Sequence, residues 1–467
     1  MNLKHLFNRA QQDIPTLSLN DGDRVCVVGG GPAGSFYTYF LLEMAERIGL
    51  NLHVDIYESQ DFFRPGPGGC NMCGGIISES LVQMLAAEGI NLPPGIIQRG
   101  IESYRLHTDD GSVDIATPLQ EKRIGAVHRG GGPRDATETR WGSFDGFLQI
   151  LAMQKGAFLH QHKVNEIRWD ENKPRLRDEN GEWQTYELMA VAVGVNTTAL
   201  ELFGKMDIGY DPPDLTKTLI REYYLGEDKI SQWLGHTMHV YLLEIPNVEF
   251  AAIIPKGDYV TLCMLGKDLG NETLHTFLNN PEVRSVFPPE IDLETGSCRC
   301  LPRMNIGGSL RPFADRMVFI GDCGVTRLYK DGIGAAYRMA KAAAATTVFK
   351  GINKEVFEKH FWPSCRKILW DNRIGKMVFL VSDLIQKFTP TRRAVTRMVI
   401  REQQNGYAPV MSSVLWDMFT GSASYTDIFM RTCHPVFLYH FIRYSFVSLF
   451  KPAKHHKQKG SQWALEN

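Results

Sequence analysis

The pattern of hydrophobic and polar positions changes twice between residues 24 and 58. Residues 24–28 form a short, mostly β-branched run, which predicts a strand buried on both faces. Residues 32–48 are rich in helix formers and begin with proline, which is tolerated in a first helical turn. Residues 53–57 alternate again and end at Glu58. Strand, glycine turn, helix and strand in this order predict a parallel α/β sheet.

Farther along the chain, glycine-rich loops separate strand-like and helix-like segments. Residues 63–78 contain too much glycine and proline for a regular element and predict a long loop over a binding site. A second loop includes Gly130–Gly132 and becomes a helix near Ser143 or Asp145. Residues 249–254 and 259–265 predict two strands joined by a turn.

After about residue 355 the chain becomes aromatic and basic and contains little glycine. Residues 373–387 and 392–401 predict helices with a basic face. An apolar run of about 15 residues, interrupted by His440 and Arg443, precedes a lysine-rich tail, and it is shorter than the roughly 20 residues of a membrane-spanning helix. We expect it to lie on a membrane surface, or to pack on the core with a disordered tail.

Composition and charge narrow the class of protein. The 467 residues are enough for about two or three domains. The 51 Lys and Arg residues against 52 Asp and Glu give a net charge of -1, so no overall field recruits nucleic acid. Nine cysteines without a regular framework, and an N-terminus without a signal peptide, favour the cytoplasm.

The first glycine cluster, Gly29-Gly30-Gly31-Pro32-Ala33-Gly34, contains G-x-G-x-x-G between a predicted strand and helix. These glycines permit a tight turn, close approach to a pyrophosphate, and packing of helix on strand. Glu58 ends the second strand, where a carboxylate can bind ribose hydroxyls. The motif predicts a dinucleotide site; the alternative is a glycine turn without function.

A second glycine cluster follows much later. A predicted strand ends at Gly321-Asp322, and Gly332-Ile333-Gly334 opens an alanine-rich helix. Asp322 can bind a polyol or ribose hydroxyl, and a helix N-terminus can stabilise negative charge on a bound ring. Two such sites far apart in sequence fit one large cofactor better than two small ones.

Together the two clusters resemble the FAD fingerprints of flavoproteins with the para-hydroxybenzoate hydroxylase-like fold, and within them the geranylgeranyl reductase family, over residues 20–350. The resemblance implies an α/β fold: a Rossmann-like FAD-binding domain, an inserted mixed β-sheet substrate domain and a helical C-terminal region. It implies FAD domain segments at 20–80, 120–200 and 295–350, substrate domain segments at 81–119 and 201–294, and a C-terminal region at 351–467.

The same resemblance assigns cofactor contacts. Gly29, Gly31, Gly34 and Glu58 would hold the ADP half of FAD, Asp322 the ribityl or pyrophosphate region, and Gly332 and Gly334 would face the isoalloxazine. The remaining implied cofactor-binding residues are Pro32, Ala33, Arg140, Gly321 and Ile333. Cys73-Gly74-Gly75 resembles the Cys-Gly-Gly loop that these enzymes carry near the flavin, and residues 253–266 resemble their Pro-x-Gly-Asp hairpin.

Two departures from the pattern bear on the electron donor. Ala192-Val193-Gly194 stands where relatives carry Ala-Asp-Gly, and Tyr329 stands three residues before Gly332, where hydroxylases have proline. Both argue against an NAD(P)H-driven hydroxylase. The electron donor is left open between NAD(P)H and reduced ferredoxin.

The expected function is reduction of a double bond in an apolar isoprenoid, lipid or quinone-like substrate, with hydride from reduced flavin. Tyr329 and Cys73 are the candidate proton donors. The alternatives are a flavin monooxygenase or halogenase, and a flavin electron-transfer subunit. Expected partners are the apolar substrate, a membrane surface and an electron-donor protein, but not nucleic acid.

Three further groups of residues have open interpretations. Cys70 and Cys73 form C-x-x-C, which suits a redox dithiol, half of a metal site or two ordinary thiols; no metal is expected because further ligands are not evident. His128-Arg129 and Arg134 suit either a solvated turn or anion binding. The arginine pair at 392–393 is expected to be a solvated face.

Overall fold

The computed structural model describes residues 17–450, except 71, 118–123, 137–141, 205, 207, 297 and 406–409. The strands are β1 (Arg24–Val28), β2 (His53–Tyr57), β3 (Ile76–Ile77), β4 (Arg99–Ile101), β5 (Ser103–Thr108), β6 (Gly111–Ala116), β7 (Ile124–Ala126), β8 (Phe158–His160), β9 (Val164–Asp170), β10 (Lys173–Asp178), β11 (Trp183–Thr185), β12 (Leu188–Val191), β13 (Leu215–Tyr224), β14 (Thr237–Leu242), β15 (Val248–Pro255), β16 (Tyr259–Gly266), β17 (Cys298–Cys300), β18 (Arg303–Asn305), β19 (Phe313–Ala314) and β20 (Met317–Phe319).

The α-helices are α1 (Pro32–Arg47), α2 (Glu79–Ala87), α3 (Phe144–Gln154), α4 (Leu200–Gly204), α5 (Glu227–Trp233), α6 (Asn271–Leu278), α7 (Pro281–Arg284), α8 (Gly332–Phe349), α9 (Lys354–Val356), α10 (Trp362–Lys387), α11 (Thr389–Asn405), α12 (Val410–Thr420), α13 (Tyr425–Thr432) and α14 (Pro435–Phe450). A π-helical turn over Phe357–Phe361 joins α9 to α10.

The glycine clusters belong to a six-stranded sheet with the order β19-β20-β12-β1-β2-β8. All neighbours in it are parallel except β19 and β20. Val25 and Val27 of β1 belong to the core beneath α1 and α8, while Cys26 and Val28 belong to the core on the opposite face. Burial on both faces explains the continuous apolar run, and the predicted strand, turn, helix and strand are confirmed.

A larger mixed sheet has the order β17-β13-β16-β15-β14-β5-β6, and β18 also pairs with β13. The predicted hairpin of β15 and β16 is confirmed as an antiparallel pair. Alternation along β15 separates two cores: Ala251 and Ile253 pack with α5, α6 and α7, whereas Ala252 and Ile254 face the C-terminal helices. The predicted domain boundary at residue 295 assigns β17 and β18 to the FAD domain, but both strands pair with β13 of this larger sheet.

The C-terminal helices pack against the larger sheet. Trp416 and Phe419 of α12 contact Tyr104 of β5 with ring centroids 5.1 and 5.9 Å apart. The arginine pair expected on a solvated face instead binds Asp110, since Arg392 and Arg393 each donate from Nε to one of its carboxylate oxygens at 2.9 Å. The C-terminal region is therefore tied to the larger sheet by apolar packing and by ion pairs.

The apolar run near the C-terminus forms α14, with several large side chains more than half exposed, for example Ile442 at 65%. Within residues 17–450, as far as they are described, no helix has both the length and the apolar character needed to cross a bilayer. The lysine-rich tail lies outside the described residues.

Candidate functional site

A cavity of about 760 Å³ runs from the first glycine cluster to the larger sheet. The cavity brings together sequence-predicted residues from both glycine clusters and from the cysteine loop: Gly29, Gly31, Pro32, Ala33, Glu58, Cys73, Gly321, Asp322, Tyr329, Gly332 and Ile333. Gly34 and Gly334 are not part of its lining. Arg140 lies outside the described residues, so its predicted role stays a prediction.

The first glycine turn has no room for side chains. Gly29 has a φ of 104°, and a Cβ atom there would lie 2.4 Å from the carbonyl oxygen of Ala192. A Cβ at Gly34 would lie 1.9 Å from the carbonyl oxygen of Gly29. No described side chain caps α1, which begins after the extended residue Gly31, so its first N–H groups can face an anion.

Glu58 lies beside this turn at the end of β2. Its carboxylate accepts hydrogen bonds from the backbone N–H of Gly30 at 2.8 Å and of Gln60 at 2.9 Å. Desolvation raises the pKa of Glu58 above its ordinary value, although these hydrogen bonds act in the opposite direction. The carboxylate is held where the sequence motif requires a group that binds ribose hydroxyls.

The second glycine cluster meets the first across α1. Gly321 has a φ of 71°, and a Cβ atom there would lie 2.6 Å from the Cβ of Ala33. Burial raises the pKa of Asp322, the next residue. The two glycine clusters together form a groove, called here the glycine cradle, that starts at the uncapped end of α1. The Glu58 and Asp322 carboxylates lie at its two ends. This arrangement suits a long dinucleotide such as FAD.

The loop before α8 is strained. Tyr329 and Asp331 have φ values of 58° and 56°, in the left-handed region that non-glycine residues rarely adopt. The backbone N–H of Lys330 donates to the carbonyl oxygen of Leu328 at 2.7 Å, which closes a tight turn around Tyr329. Proline could not adopt this φ, so the departure from the hydroxylase pattern at residue 329 reflects a different backbone.

Residues of the C-terminal helices hold this loop. Asn372 of α10 accepts a hydrogen bond from the Leu328 N–H at 2.9 Å and donates one to the Thr326 carbonyl oxygen at 2.8 Å. The hydroxyl of Tyr425 in α13 donates to the Leu328 carbonyl oxygen. Arg327 donates to backbone carbonyls at residues 421 and 423. Residues that lie 44 and 97 positions away in sequence therefore fix the loop.

Asp331 anchors the end of the same loop. Its side chain is 1% exposed, and it accepts hydrogen bonds from Ser78 at 2.8 Å and from Arg338 at 2.7 Å. A Cβ at Gly334 would lie 2.2 Å from its carboxylate, so the predicted glycine at 334 makes room for Asp331.

The cysteine loop lies on another side of the cavity. Cys70, Cys73 and Arg129 all line the cavity. Arg129 also binds the buried Asp145 with two hydrogen bonds of 2.6 and 2.8 Å, so it does not belong to a solvated turn. In the described part of the chain no group of three or more His, Cys, Asp or Glu side chains is placed to hold a metal ion.

The far end of the cavity is mostly apolar. One face of the larger sheet and the helices α10 and α12 form its wall, including Met238, Phe250, Ala252, Ile254, Phe379 and Phe419. Lys330 projects beside this wall, with its Nζ 3.6 Å from the ring centroid of Phe250. Desolvation lowers the pKa of Lys330 to about 8.

Sequence reasoning missed Lys330, Asn372 and Tyr425. Lys330 stands in a predicted cofactor loop, between Tyr329 and Asp331-Gly332. This position was the signal in the sequence that could have marked it as a site residue. Asn372 and Tyr425 carry no local signal, because their roles depend on contacts with a distant loop.

No protein-family model matches the chain, and no curated protein sequence matches it. Solved structures do match. A flavoprotein/dehydrogenase from Cytophaga hutchinsonii has a TM-score of 0.62 at 15% identity, with 92% of this chain and 100% of that chain covered. The p-nitrophenol 4-monooxygenase PnpA from Pseudomonas putida has a TM-score of 0.56 at 12% identity, with 87% and 100% covered. The halogenase PltM has a TM-score of 0.56 at 11% identity, with 91% and 92% covered. The chain thus shares its fold with a flavoprotein/dehydrogenase, a monooxygenase and a halogenase.

Proposed function

We propose that the protein is an FAD-dependent oxidoreductase. The observation that carries this proposal is one cavity that joins a glycine cradle built from both fingerprints to an apolar chamber. The cradle suits a dinucleotide, and the chamber is the kind of concave apolar site in which small molecules bind. The fold shared with flavin-dependent enzymes agrees with this assignment.

In the proposed holoenzyme, Gly29, Gly31 and Glu58 hold the ADP half of FAD, and Asp322 holds its ribityl or pyrophosphate region. Reduced flavin supplies hydride chemistry. The chain itself orients the substrate against the apolar wall and excludes water. Tyr329 and Cys73, which both line the cavity, remain the proposed proton donors.

We further propose a reaction of the geranylgeranyl reductase-like type, in which a double bond of an apolar isoprenoid, lipid or quinone-like substrate is reduced. The apolar lining of the chamber supports such a substrate. The left-handed backbone at Tyr329 distinguishes the flavin-side loop from the hydroxylase pattern and favours a reductase over a monooxygenase. An electron-transfer role remains the third candidate.

The decisive experiment is anaerobic. Purified protein should be yellow and retain FAD, and reductants should be tested in turn: NADPH, NADH and reduced ferredoxin. Lipid extraction and mass analysis of the copurified ligand, before and after reduction, should show a gain of two hydrogens. Colourless protein without FAD would overturn the assignment, and rapid NADPH oxidation coupled to hydroxylation in air would favour the monooxygenase.

We propose that the substrate reaches the cavity from an anionic membrane surface along α10. This helix exposes a stripe of large apolar side chains, Trp370, Met377, Leu380, Val381 and Leu384, and Phe388 directly after it is also exposed. It also exposes cationic side chains: Arg366, Lys367, Arg373, Lys376 and Lys387. Leu380 and Lys376 line the cavity as well, so the opening lies on the same face.

Vesicle sedimentation tests this route. The protein should sediment with phosphatidylcholine vesicles that contain phosphatidylglycerol, and Leu380→Glu with Leu384→Glu should release it. Exposed Tyr224 lies on β13 instead, so Tyr224→Glu is the matched control. Failure of the wild-type protein to sediment would reject the membrane route without affecting the flavin assignment.

A further inference from the structure

Lys330 is a cation placed where the cavity becomes apolar. The strained turn at Tyr329 and Asp331 directs the lysine to the cavity rather than to solvent, and Asp331 itself is occupied by Ser78 and Arg338. Backbone strain persists only where surrounding contacts impose it, and such positions cluster at ligand sites. Here the contacts come from Asn372 and Tyr425.

Within the described part of the chain, the ammonium group of Lys330 has no carboxylate partner: no Asp or Glu oxygen there lies within 4.0 Å of its Nζ. Its close neighbour is the face of the Phe250 ring, whose centroid lies 3.6 Å from Nζ. A cation–π contact replaces only part of the solvation that an ammonium loses on burial. The lowered pKa of Lys330 agrees with this deficit.

The other charged and titratable groups that the structure describes around Lys330 do not neutralise it. Cys263 on β16 faces it as a thiol whose pKa is raised by burial. Glu249 on β15 and Lys376 and Asp383 on α10 line the same cavity without an ion pair to Lys330. Arg327 and Asp331 on its own loop bind other partners.

We propose that Lys330 binds the acidic oxygen of the substrate, a carboxylate, phenolate or enolate carried by an otherwise apolar molecule. The ammonium supplies the hydrogen bond and charge for that oxygen, and the apolar wall takes the remainder of the molecule. This inference rests on the proposed function for the identity of the substrate chamber, and it narrows the substrates to apolar molecules with one acidic oxygen.

A matched pair of probes, decanoate and decanol, tests the site by calorimetric titration of the purified protein. At pH 7 the wild-type protein should bind decanoate at least about tenfold more tightly than decanol, since a charged hydrogen bond in an apolar site is worth that much. The preference should decline above pH 8, where the ammonium loses its proton. Lys330→Met should abolish it, and Lys330→Arg should retain part of it. Lys267→Met, at an exposed lysine outside the cavity lining, should leave it unchanged.

Equal affinity of the wild-type protein for both probes would overturn the inference, as would a preference that survives in Lys330→Met or is lost in Lys267→Met. If Lys330→Met does not fold, chemical modification of the wild-type protein tests the site instead. Acetylation at pH 8, followed by peptide mass analysis, should modify Lys330, and decanoate but not decanol should protect it; equal protection by both would reject the site.

The absorbance of the same samples reports their flavin content, which separates the two proposals. Protein that binds decanoate through Lys330 but holds no flavin would overturn the proposed function and leave the site standing. Yellow protein without the preference would overturn only the site.

Discussion

The two glycine clusters obtain their backbone conformations in different ways. The first, around Gly29 and Gly34, is built mainly from consecutive residues: β1, the turn and α1 pack on one another, and a Cβ at Gly34 would collide with the Gly29 carbonyl oxygen. Gly29 also lies close to a remote element, since a Cβ there would collide with the Ala192 carbonyl oxygen. The second, before α8, has two non-glycine residues in left-handed conformations and is held by side chains of α10 and α13.

This difference shows where each cluster gets its shape. Local steric rules dictate the first, so it should fail when local space is filled. Remote hydrogen bonds impose the second, so it should fail when distant residues are changed.

The largest effect is expected from Gly34→Val. The valine side chain would collide with the Gly29 carbonyl oxygen. We therefore expect the free energy of unfolding to fall by about 3 kcal/mol and bound flavin to be lost. Thermal unfolding and flavin absorbance measure both. Gly68→Ala is the control, because a Cβ at Gly68 meets nothing within 4 Å. A folded, yellow Gly34→Val protein would contradict the local origin of the first cluster.

Asn372→Ala should have the next largest effect, about 2 kcal/mol, because it leaves the Leu328 N–H and the Thr326 carbonyl without their partner. Flavin fluorescence should also rise as the loop loosens. Trp370→Ala, at an exposed position on the same helix, should change neither quantity. Equal behaviour of the two variants would show that the loop holds its shape without α10.

Glu58→Gln tests the carboxylate beside the first cluster. We expect flavin affinity to fall about tenfold with the loss of a charged hydrogen bond to the ribose. Because the pKa of Glu58 is raised in the fold, the ionised form opposes folding at neutral pH, and wild-type stability should increase as the pH falls toward that pKa. The apoprotein of Glu58→Gln should lack this contribution. Unfolding curves of the wild-type and Glu58→Gln apoproteins, measured between pH 4 and 8, test this expectation. The same pH dependence of stability in both proteins would contradict it.

Tyr425→Phe should have the smallest effect, about 1 kcal/mol, since it removes one buried hydrogen bond to Leu328 and keeps the ring. Chemical denaturation measures the loss. The double variant with Asn372→Ala should lose less than the sum of the two changes, because both act on the same loop. Full additivity would indicate that Tyr425 stabilises its own helix rather than the loop.

The fold was predictable where the pattern is local. The periodicity of residues 24–57 indicated β1, α1 and β2, and alternation along 249–265 indicated the β15–β16 hairpin, because burial of one or both faces leaves a direct mark on the sequence. The pairing of β17 and β18 with β13 was not predictable, since short strands leave little pattern and their partner lies far away in sequence.

The candidate site divides in the same way. By itself the sequence determined the glycine cradle and Glu58, because a phosphate-binding turn requires particular residues at fixed spacing. Only the tertiary structure decided that α10 and α13 shape the second loop, and that Lys330 meets Phe250 at the entrance of an apolar chamber. When residues remote in the chain fix the position of a side chain, no regular spacing in the sequence indicates that position, because it depends on how separate elements pack.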